Sequence, residues 1–119
     1  MAWEVEFTNE FGEWWDDLSE EQQDAVDARV ELLIDQGPDL GRPVVDSLKG
    51  SRHKNMKELR ASKDGALRVL FVFDPRRHAI LLLGGDKTGD WEGWYEVNIP
   101  RADDLYDEYL QTLRDEGLI

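Results

Sequence analysis

Most of the positive charge of this acidic chain lies in the middle of its sequence. Residues 42–88 hold eleven of the fourteen Lys and Arg residues and both histidines, although the whole chain has a formal net charge of −13. Their net charge is +6, between flanks of −12 (residues 1–41) and −7 (residues 89–119). Cations gathered inside apolar runs suit the binding of a polyanion. We therefore expect Lys57, Arg60, Arg68 and Lys87 to converge on one concave face.

The remaining composition excludes several kinds of chemistry. The chain has no cysteine, so it has no disulfide, thiol nucleophile or thiolate metal site, and its two histidines lack the spacing of metal ligands. We expect neither a metal nor another cofactor. The sequence starts without the basic and apolar segments of a secretory leader, and no apolar run approaches the roughly 18 residues of a membrane span. It predicts a cytoplasmic protein of one domain, residues 1–119, with no membrane partner.

The elements that must position these cations follow from hydrophobic periodicity. In chain order, the pattern predicts a strand (3–7), two helices (8–18 and 19–37), an ordered loop (39–50), strands (55–61, 65–74 and 78–84), a mobile loop (84–90) and a helix (102–113). Thr8 and the Ser19–Gln22 capping box are expected to start the first two helices. The predicted fold class is α+β: an antiparallel sheet with an N-terminal helical hairpin on one face and a C-terminal helix.

Three segments in this order resemble the RelE/HigB superfamily of type II toxin–antitoxin toxins, particularly the phage Gp49-like HigB branch. They are Leu-Lys-Gly leading into Met-Lys-Glu-Leu-Arg (48–60), Leu-Arg-Val-Leu-Phe-Val-Phe (67–73) and Ile-Leu-Leu-Leu-Gly-Gly-Asp-Lys-Thr (80–88). With the two leading helices included, the resemblance covers nearly the whole chain. It implies the RelE-like arrangement of sheet and helices.

The resemblance also implies an activity, which is metal-independent, ribosome-dependent cleavage of mRNA that inhibits translation. The implied partners are the ribosome, mRNA and a cognate antitoxin of the helix-turn-helix type, while the oligomeric state is left open. Attack of the RNA 2′-hydroxyl on the adjacent phosphate needs a proton acceptor, cations for the charged transition state and a proton donor for the leaving 5′-oxygen. Lys, Arg and Tyr side chains can supply all three without a metal.

Carried over residue by residue, the resemblance assigns a catalytic group. Arg60 and Arg68 would hold the transition-state phosphate, Lys57 would be a base or a phosphate contact, and Lys87 would be a further phosphate contact. Tyr95 is the nearest donor for the leaving oxygen after the fourth predicted strand. A second group, expected to contact RNA or the ribosome, consists of Lys49, Lys54 and Trp91.

Plainer interpretations stay open for these residues. Arg60 can pair with Glu58 or with an acid of the helical hairpin, Lys54 and Lys57 can be solvated edge-strand charges, and Trp91 can belong to the core or to an antitoxin interface. His53 or His78 could replace Tyr95 as the acid.

Two other functions also stay open. One is a ParE-like toxin that inhibits DNA gyrase without nuclease chemistry. The other is a catalytically degenerate interaction module, which the acidic flanks favour. The strongly basic run that many relatives carry after the fourth strand is reduced here to Lys87, followed by Asp90, Glu92 and Glu96.

Overall fold

The computed structural model describes residues 2–119 and has an α+β architecture. The helices are α1 (Asn9–Asp17), α2 (Glu20–Gln36) and α3 (Trp91–Asp115), with a short 3-10 helix at Gly37–Asp39. The strands are β1 (Val5–Phe7), β2 (Val45–Ser47), β3 (Lys57–Ser62), β4 (Ala66–Phe73) and β5 (Ala79–Asp86). The predicted fold class, the helical hairpin and the C-terminal helix are confirmed. No helix of the described residues is both long and apolar enough to cross a membrane.

The sheet is mixed, whereas the sequence predicted an antiparallel one. Its strand order is β1-β5-β4-β3-β2, and β1 pairs with β5 in parallel while the other neighbours are antiparallel. A three-residue strand carries too few residues to specify the direction of its partner. The sequence predicted a loop at residues 39–50 and missed β2, which lies within it. The three residues of β2 carry little periodicity of their own and are held by pairing with β3.

The helical hairpin begins and ends at the expected signals. The side chain of Thr8 accepts a hydrogen bond from the backbone N–H of Phe11, and Ser19 and Gln22 form both bonds of a capping box. Helix α2 ends at Gly37, which has a positive φ of 57°. These caps set the chain direction on either side of the hairpin.

The sheet is covered on both faces, so there are two apolar layers. Leu67, Val69 and Phe71 of β4 pack with Phe11 and Val26 of the hairpin. The alternate residues of β4 face the opposite side of the sheet and pack against α3. The buried residues of α3 in this layer are Ile99, Ala102, Leu105 and Tyr106. This alternation places Arg68 on the α3 face.

Helix α3 starts eleven residues before the predicted position of Ala102. Asp90 caps it by accepting a hydrogen bond from the N–H of Gly93, and Pro100 lies inside it. The aromatic segment from Trp91 onwards, with an internal glycine and proline, does not read as a helix. Burial of Ile99 and Ala102 against the sheet offsets the missing hydrogen bond of Pro100. The correction matters because it puts Trp91 and Tyr95 on the first turns of a helix.

The predicted mobile loop at residues 84–90 is wrong for its first half. Strand β5 continues through Gly84 and Gly85 to Asp86. A Cβ atom at Gly84 would lie 2.2 Å from the ring of Trp14, and one at Gly85 would lie 2.5 Å from Trp94. These glycines therefore admit two tryptophan rings, one on each face of the strand, and do not open the backbone to a ligand.

Candidate functional site

The candidate site is built where β3, β4 and the end of β5 meet the first turns of α3. Arg60 of β3 and Arg68 of β4 are register partners, so both side chains project from the α3 face of the sheet. Lys87 follows directly after β5, and its backbone N–H donates to the carbonyl of Ala66 at 3.1 Å. The structure thus brings Arg60, Arg68 and Lys87 together from three separate segments.

Glu58 lies at the centre of this group and was missed by the sequence interpretation of the site. Glu58 is 3% exposed. Its two oxygens accept hydrogen bonds from Nε of Arg60 at 2.9 Å and from the hydroxyl of Tyr95 at 2.5 Å. Arg60 also donates to Asp46 at 3.1 Å, so its charge is compensated by two carboxylates. The signal was available, because Glu58 and Arg60 are two residues apart on a strand and must share a face.

Arg68 is the least compensated member of the group. It is 8% exposed, and the one side-chain hydrogen bond it donates within residues 2–119 runs from Nη1 to the carbonyl of Leu67 at 2.9 Å. Its Nε is buried and has no acceptor. A buried guanidinium with an unused donor is costly unless an anion completes it. Arg68 therefore suits the binding of a phosphate.

Lys87 is 5% exposed and lies beneath the aromatic start of α3. Its Nζ is 3.6 Å from the ring centroid of Trp91 and 5.3 Å from that of Tyr95. Burial lowers the pKa of Lys87, and the positive charges of Arg68 and Arg60 lower it further while Glu58 opposes them. Among the described residues, no carboxylate forms an ion pair with Lys87 or Arg68. Two buried cations are thus available to one anion.

Tyr95 keeps its proton far above neutral pH. Burial raises the pKa of Tyr95 to about 12, and its hydrogen bond to Glu58 adds to the shift, while Arg68 acts in the opposite direction. The phenol is therefore a proton donor in the resting protein. Glu58 accepts the hydrogen bond of this phenol. The carboxylate of Glu58 can therefore accept a proton, and the hydroxyl of Tyr95 can release one.

The three other predicted lysines, Lys57, Lys49 and Lys54, lie away from this group. The expected convergence is wrong for Lys57, which shares its strand face with Leu59 and Ala61, on the side of α2. A two-residue alternation puts Lys57 and Arg60 on opposite faces of β3. Lys49 and Lys54 are exposed in the connection before β3.

Of the aromatic and histidine candidates, Trp91 lies at the site and the two histidines lie outside it. Trp91 is 59% exposed and covers Lys87, so it lies at the site. His53 contacts Asp107 of α3 at 2.8 Å, and His78 contacts Glu6 of β1 at 2.8 Å. Both histidines are engaged outside the group formed by Glu58, Arg68, Lys87 and Tyr95.

One group of side chains has the donor types of a metal site. Glu6, Asp74 and His78 offer ligand atoms that lie within 4.8 Å of one another. The guanidinium of Arg76 already binds both carboxylates, at 2.6 Å from Glu6 and 2.8 Å from Asp74, and Tyr109 donates to Glu6 at 2.9 Å. This arrangement is a compensated charge network that ties β1 to the β4–β5 turn and α3, and a second cation would have to displace Arg76.

Comparison of the amino-acid sequence with known proteins identifies a family. The family described as phage derived protein Gp49-like matches residues 13–107. The chain is 46% identical over 104 residues to HigB2 of Mycobacterium tuberculosis, a protein named as a toxin, covering 86% of this chain and 52% of HigB2. It is 48% identical over 99 residues to HigB3 of the same organism, also named as a toxin, covering 83% of this chain and 86% of HigB3. The chain thus spans about half the length of one relative and most of the other.

Solved structures show the fold. A double mutant of the Escherichia coli toxin RelE in its free state superposes with a TM-score of 0.62 at 12% identity, covering 85% of this chain and 98% of that chain. RelE in the intact E. coli RelBE toxin–antitoxin complex gives 0.57 at 9% identity, covering 71% of this chain and 96% of that one. At such low identity the likeness shows the RelE fold alone.

Proposed function

The chain belongs to the Gp49-like family of RelE/HigB-type toxins, and from that premise we propose that it cleaves mRNA as the toxin of a toxin–antitoxin pair. The observation that carries the proposal is that Arg68 and Lys87 are both buried, near enough for the charge of Arg68 to lower the pKa of Lys87, and that neither forms an ion pair with a carboxylate among the described residues. Two such cations lose hydration on folding, and the attraction of a bound anion offsets that cost. A phosphodiester supplies that anion.

The proposed roles follow from the contacts. Arg68 and Lys87 bind the scissile phosphate and stabilise the charge that develops on its oxygens. Arg60 is a positioning residue, because its Nε holds Glu58 while its Nη2 is tied to Asp46. Lys57 has no role in this proposal because it lies on the other face of β3.

Glu58 and Tyr95 form the proton-transfer pair. Glu58 accepts the proton of the attacking 2′-hydroxyl, and Tyr95 gives its proton to the leaving 5′-oxygen. The products are a 2′,3′-cyclic phosphate and a 5′-hydroxyl end. The hydrogen bond of 2.5 Å between the two side chains then returns the proton from Glu58 to Tyr95 and restores the resting state.

Trp91 is proposed to support the RNA at the rim of the site. Its indole is largely exposed on the side away from Lys87, and a flat aromatic face of this kind can stack on a nucleobase. Lys49 and Lys54 are exposed cations before β3 and are retained as proposed contacts to RNA or the ribosome. The acidic flanks of the chain would confine RNA to this face.

Inducible expression in bacteria tests the proposal. We expect the unaltered chain to stop growth and to truncate translated messages. Arg68→Ala should relieve both effects, whereas Lys63→Ala should relieve neither. Lys63→Ala is a suitable control because it removes the same charge from the β3–β4 turn, where Lys63 forms an ion pair with Glu21 of α2. Growth arrest with intact mRNA and inhibited supercoiling by DNA gyrase would contradict the nuclease proposal and favour the ParE-like alternative.

A further inference from the structure

A second surface of the molecule, on the other face of the sheet, has the form of a docking site. A cleft of about 400 Å³ opens between β1, α1 and α2. We call it the Phe7 cleft, and its lining residues are Val5, Phe7, Phe11, Gly12, Trp15, Asp16, Asp27, Val30, Ile34 and Leu81. This volume lies within the usual range of ligand sites.

The wall of the Phe7 cleft is apolar and partly uncovered. Phe7 is 62% exposed although it packs against Phe11 with ring centroids 5.8 Å apart. Trp15 stacks on the other side of Phe11 at 6.2 Å, so three aromatic rings form a continuous wall. An exposed aromatic side chain beside a ready-made groove marks an interaction surface more often than a scattered apolar residue does.

The rim of the cleft is acidic. Asp16 and Asp27 line it, no Lys or Arg does, and neither acid takes part in an ion pair among residues 2–119. Phe7 also borders a second cleft of about 500 Å³ between α1 and α3, which contains Glu13 and Glu108. Arg101 is the one cation that lines this second cleft, and it is already paired with Glu10.

We propose that the Phe7 cleft binds a positively charged amphipathic helix of the antitoxin, with apolar side chains seated against Phe7 and Trp15 and Lys or Arg side chains beside Asp16 and Asp27. The inference rests on the proposed function for the identity of the partner. An amphipathic helix meets such a groove through residues spaced i, i+3, i+4 and i+7. RNA is repelled by the acidic rim, and a second copy of the chain carries the same charge of −13.

The position of the cleft separates binding from inhibition. Its floor residues Phe11 and Leu81 belong to the hairpin-side core, whereas Glu58, Arg68 and Tyr95 lie on the α3 side of the sheet. A helix seated in the Phe7 cleft therefore leaves the phosphate site open. The antitoxin would gain affinity here and would neutralise the toxin through another segment.

The first test titrates the whole chain with a synthetic helical peptide of about four turns, built from Leu and Lys with the leucines on one face. We expect the amide signals of Val30 and Ile34 and the indole signal of Trp15 to shift, with a dissociation constant that rises steeply with salt. A scrambled peptide of the same composition should bind at least about tenfold more weakly, since its leucines do not share a face. Equal binding of both peptides, or shifts confined to α3, would overturn the proposal.

Matched variants locate the contact. Phe7→Ala, and separately the charge reversal of Asp16→Lys with Asp27→Lys, should each weaken the peptide by about tenfold. The control is Asp39→Lys with Glu116→Lys, which changes the net charge equally at exposed residues that line neither cleft. All of these positions are exposed, so the fold should persist. Unchanged affinity of the Phe7 and Asp16/Asp27 variants would contradict the proposal.

A genetic measurement connects the peptide to the antitoxin. The antitoxin is defined as the protein whose co-expression restores growth to cells expressing the unaltered chain. Phe7→Ala should still arrest growth but should need several-fold more antitoxin for rescue. Rescue at the same antitoxin level would overturn the docking proposal while leaving the nuclease proposal intact. Peptide binding at the cleft by a chain that cleaves no RNA would contradict only the nuclease proposal.

Discussion

Arg60 and Arg68 stand directly opposite each other on adjacent antiparallel strands. Like charges at opposed positions destabilise a sheet. Glu58 and Asp46 compensate Arg60, but Arg68 has no ion pair within residues 2–119 and keeps an unsatisfied Nε. The fold therefore holds Arg68 at a cost in stability, which is typical of a residue kept for function.

Replacing Arg68 by methionine should separate stability from activity. Arg68→Met removes a buried, uncompensated charge and retains most of the apolar volume, so we expect the free energy of unfolding to rise by about 1–2 kcal/mol. RNA cleavage should be lost. Urea denaturation and a cleavage assay measure the two effects. Arg60→Met is the matched control, and it should lower stability by about 1–3 kcal/mol because it removes the one cation that pairs with buried Glu58 among the described residues. Destabilisation by Arg68→Met would show that Arg68 is a structural residue.

Lys87 should make the stability of the protein depend on pH in the alkaline range. Burial holds the pKa of folded Lys87 below the 10.5 of an ordinary lysine. At a pH between the lowered pKa of folded Lys87 and 10.5, the unfolded chain binds more protons than the folded chain. The contribution of Lys87 to the unfolding free energy therefore rises with pH. We expect the unaltered chain to gain stability relative to Lys87→Met as the pH approaches 10.5. A constant difference between the two proteins from pH 7 to 10.5 would contradict the burial of a charged Lys87.

Tyr95 should resist ionisation. Because its pKa is raised to about 12, the difference in ultraviolet absorbance between the unaltered chain and Tyr95→Phe should show no phenolate at pH 10, where an ordinary tyrosine is half ionised. Tyr95→Phe should also lower the cleavage rate by roughly 10² through loss of the proton donor. Titration of Tyr95 near pH 10 would contradict its burial and its hydrogen bond to Glu58.

The parts of the fold with a long or repeated pattern could be predicted from the sequence. The hairpin has capping signals at both helix starts, and β4 has eight residues whose alternation separates Val69 from Leu70. β2 and the parallel pairing of β1 could not be predicted, because each strand has three residues and is specified by its neighbours. The early start of α3 was hidden by Pro100, whose cost is offset by burial that only the folded chain shows.

The site was predictable to the extent that it obeys strand alternation. The sequence predicted that Arg60 and Arg68 converge on one face, and strand alternation applied to β3 would have excluded Lys57 and drawn attention to Glu58. The contact of Trp91 with Lys87 depends on helix α3 beginning at Trp91, so it could not be seen without that helix. Gly84 lies at the start of the predicted mobile loop, but its neighbour in space, Trp14, is seventy residues away in the sequence.

A buried carboxylate fixes α3 to the loop before β3. Asp103 is 2% exposed and accepts hydrogen bonds from the hydroxyl of Ser51 at 2.5 Å and from the backbone N–H of Arg52 at 3.0 Å. Asp103→Ala leaves both donors without a partner, so we expect it to lower the free energy of unfolding by about 2–3 kcal/mol. Asp104→Ala, which removes an exposed partner of Arg52, should cost less than about 1 kcal/mol. Similar losses in both variants, measured by urea denaturation, would contradict this role of Asp103.

The most direct measurement of the nuclease proposal is the chemistry of the RNA ends produced with purified ribosomes and a defined message. The geometry of Glu58, Arg68, Lys87 and Tyr95 predicts cleavage that leaves a 5′-hydroxyl, which a polynucleotide kinase labels without prior phosphatase treatment, and a 2′,3′-cyclic phosphate on the upstream fragment. Arg68→Ala should yield no fragments at the same protein concentration. Intact message in the presence of the folded, unaltered chain, or fragments bearing 5′-phosphate ends, would contradict the proposal.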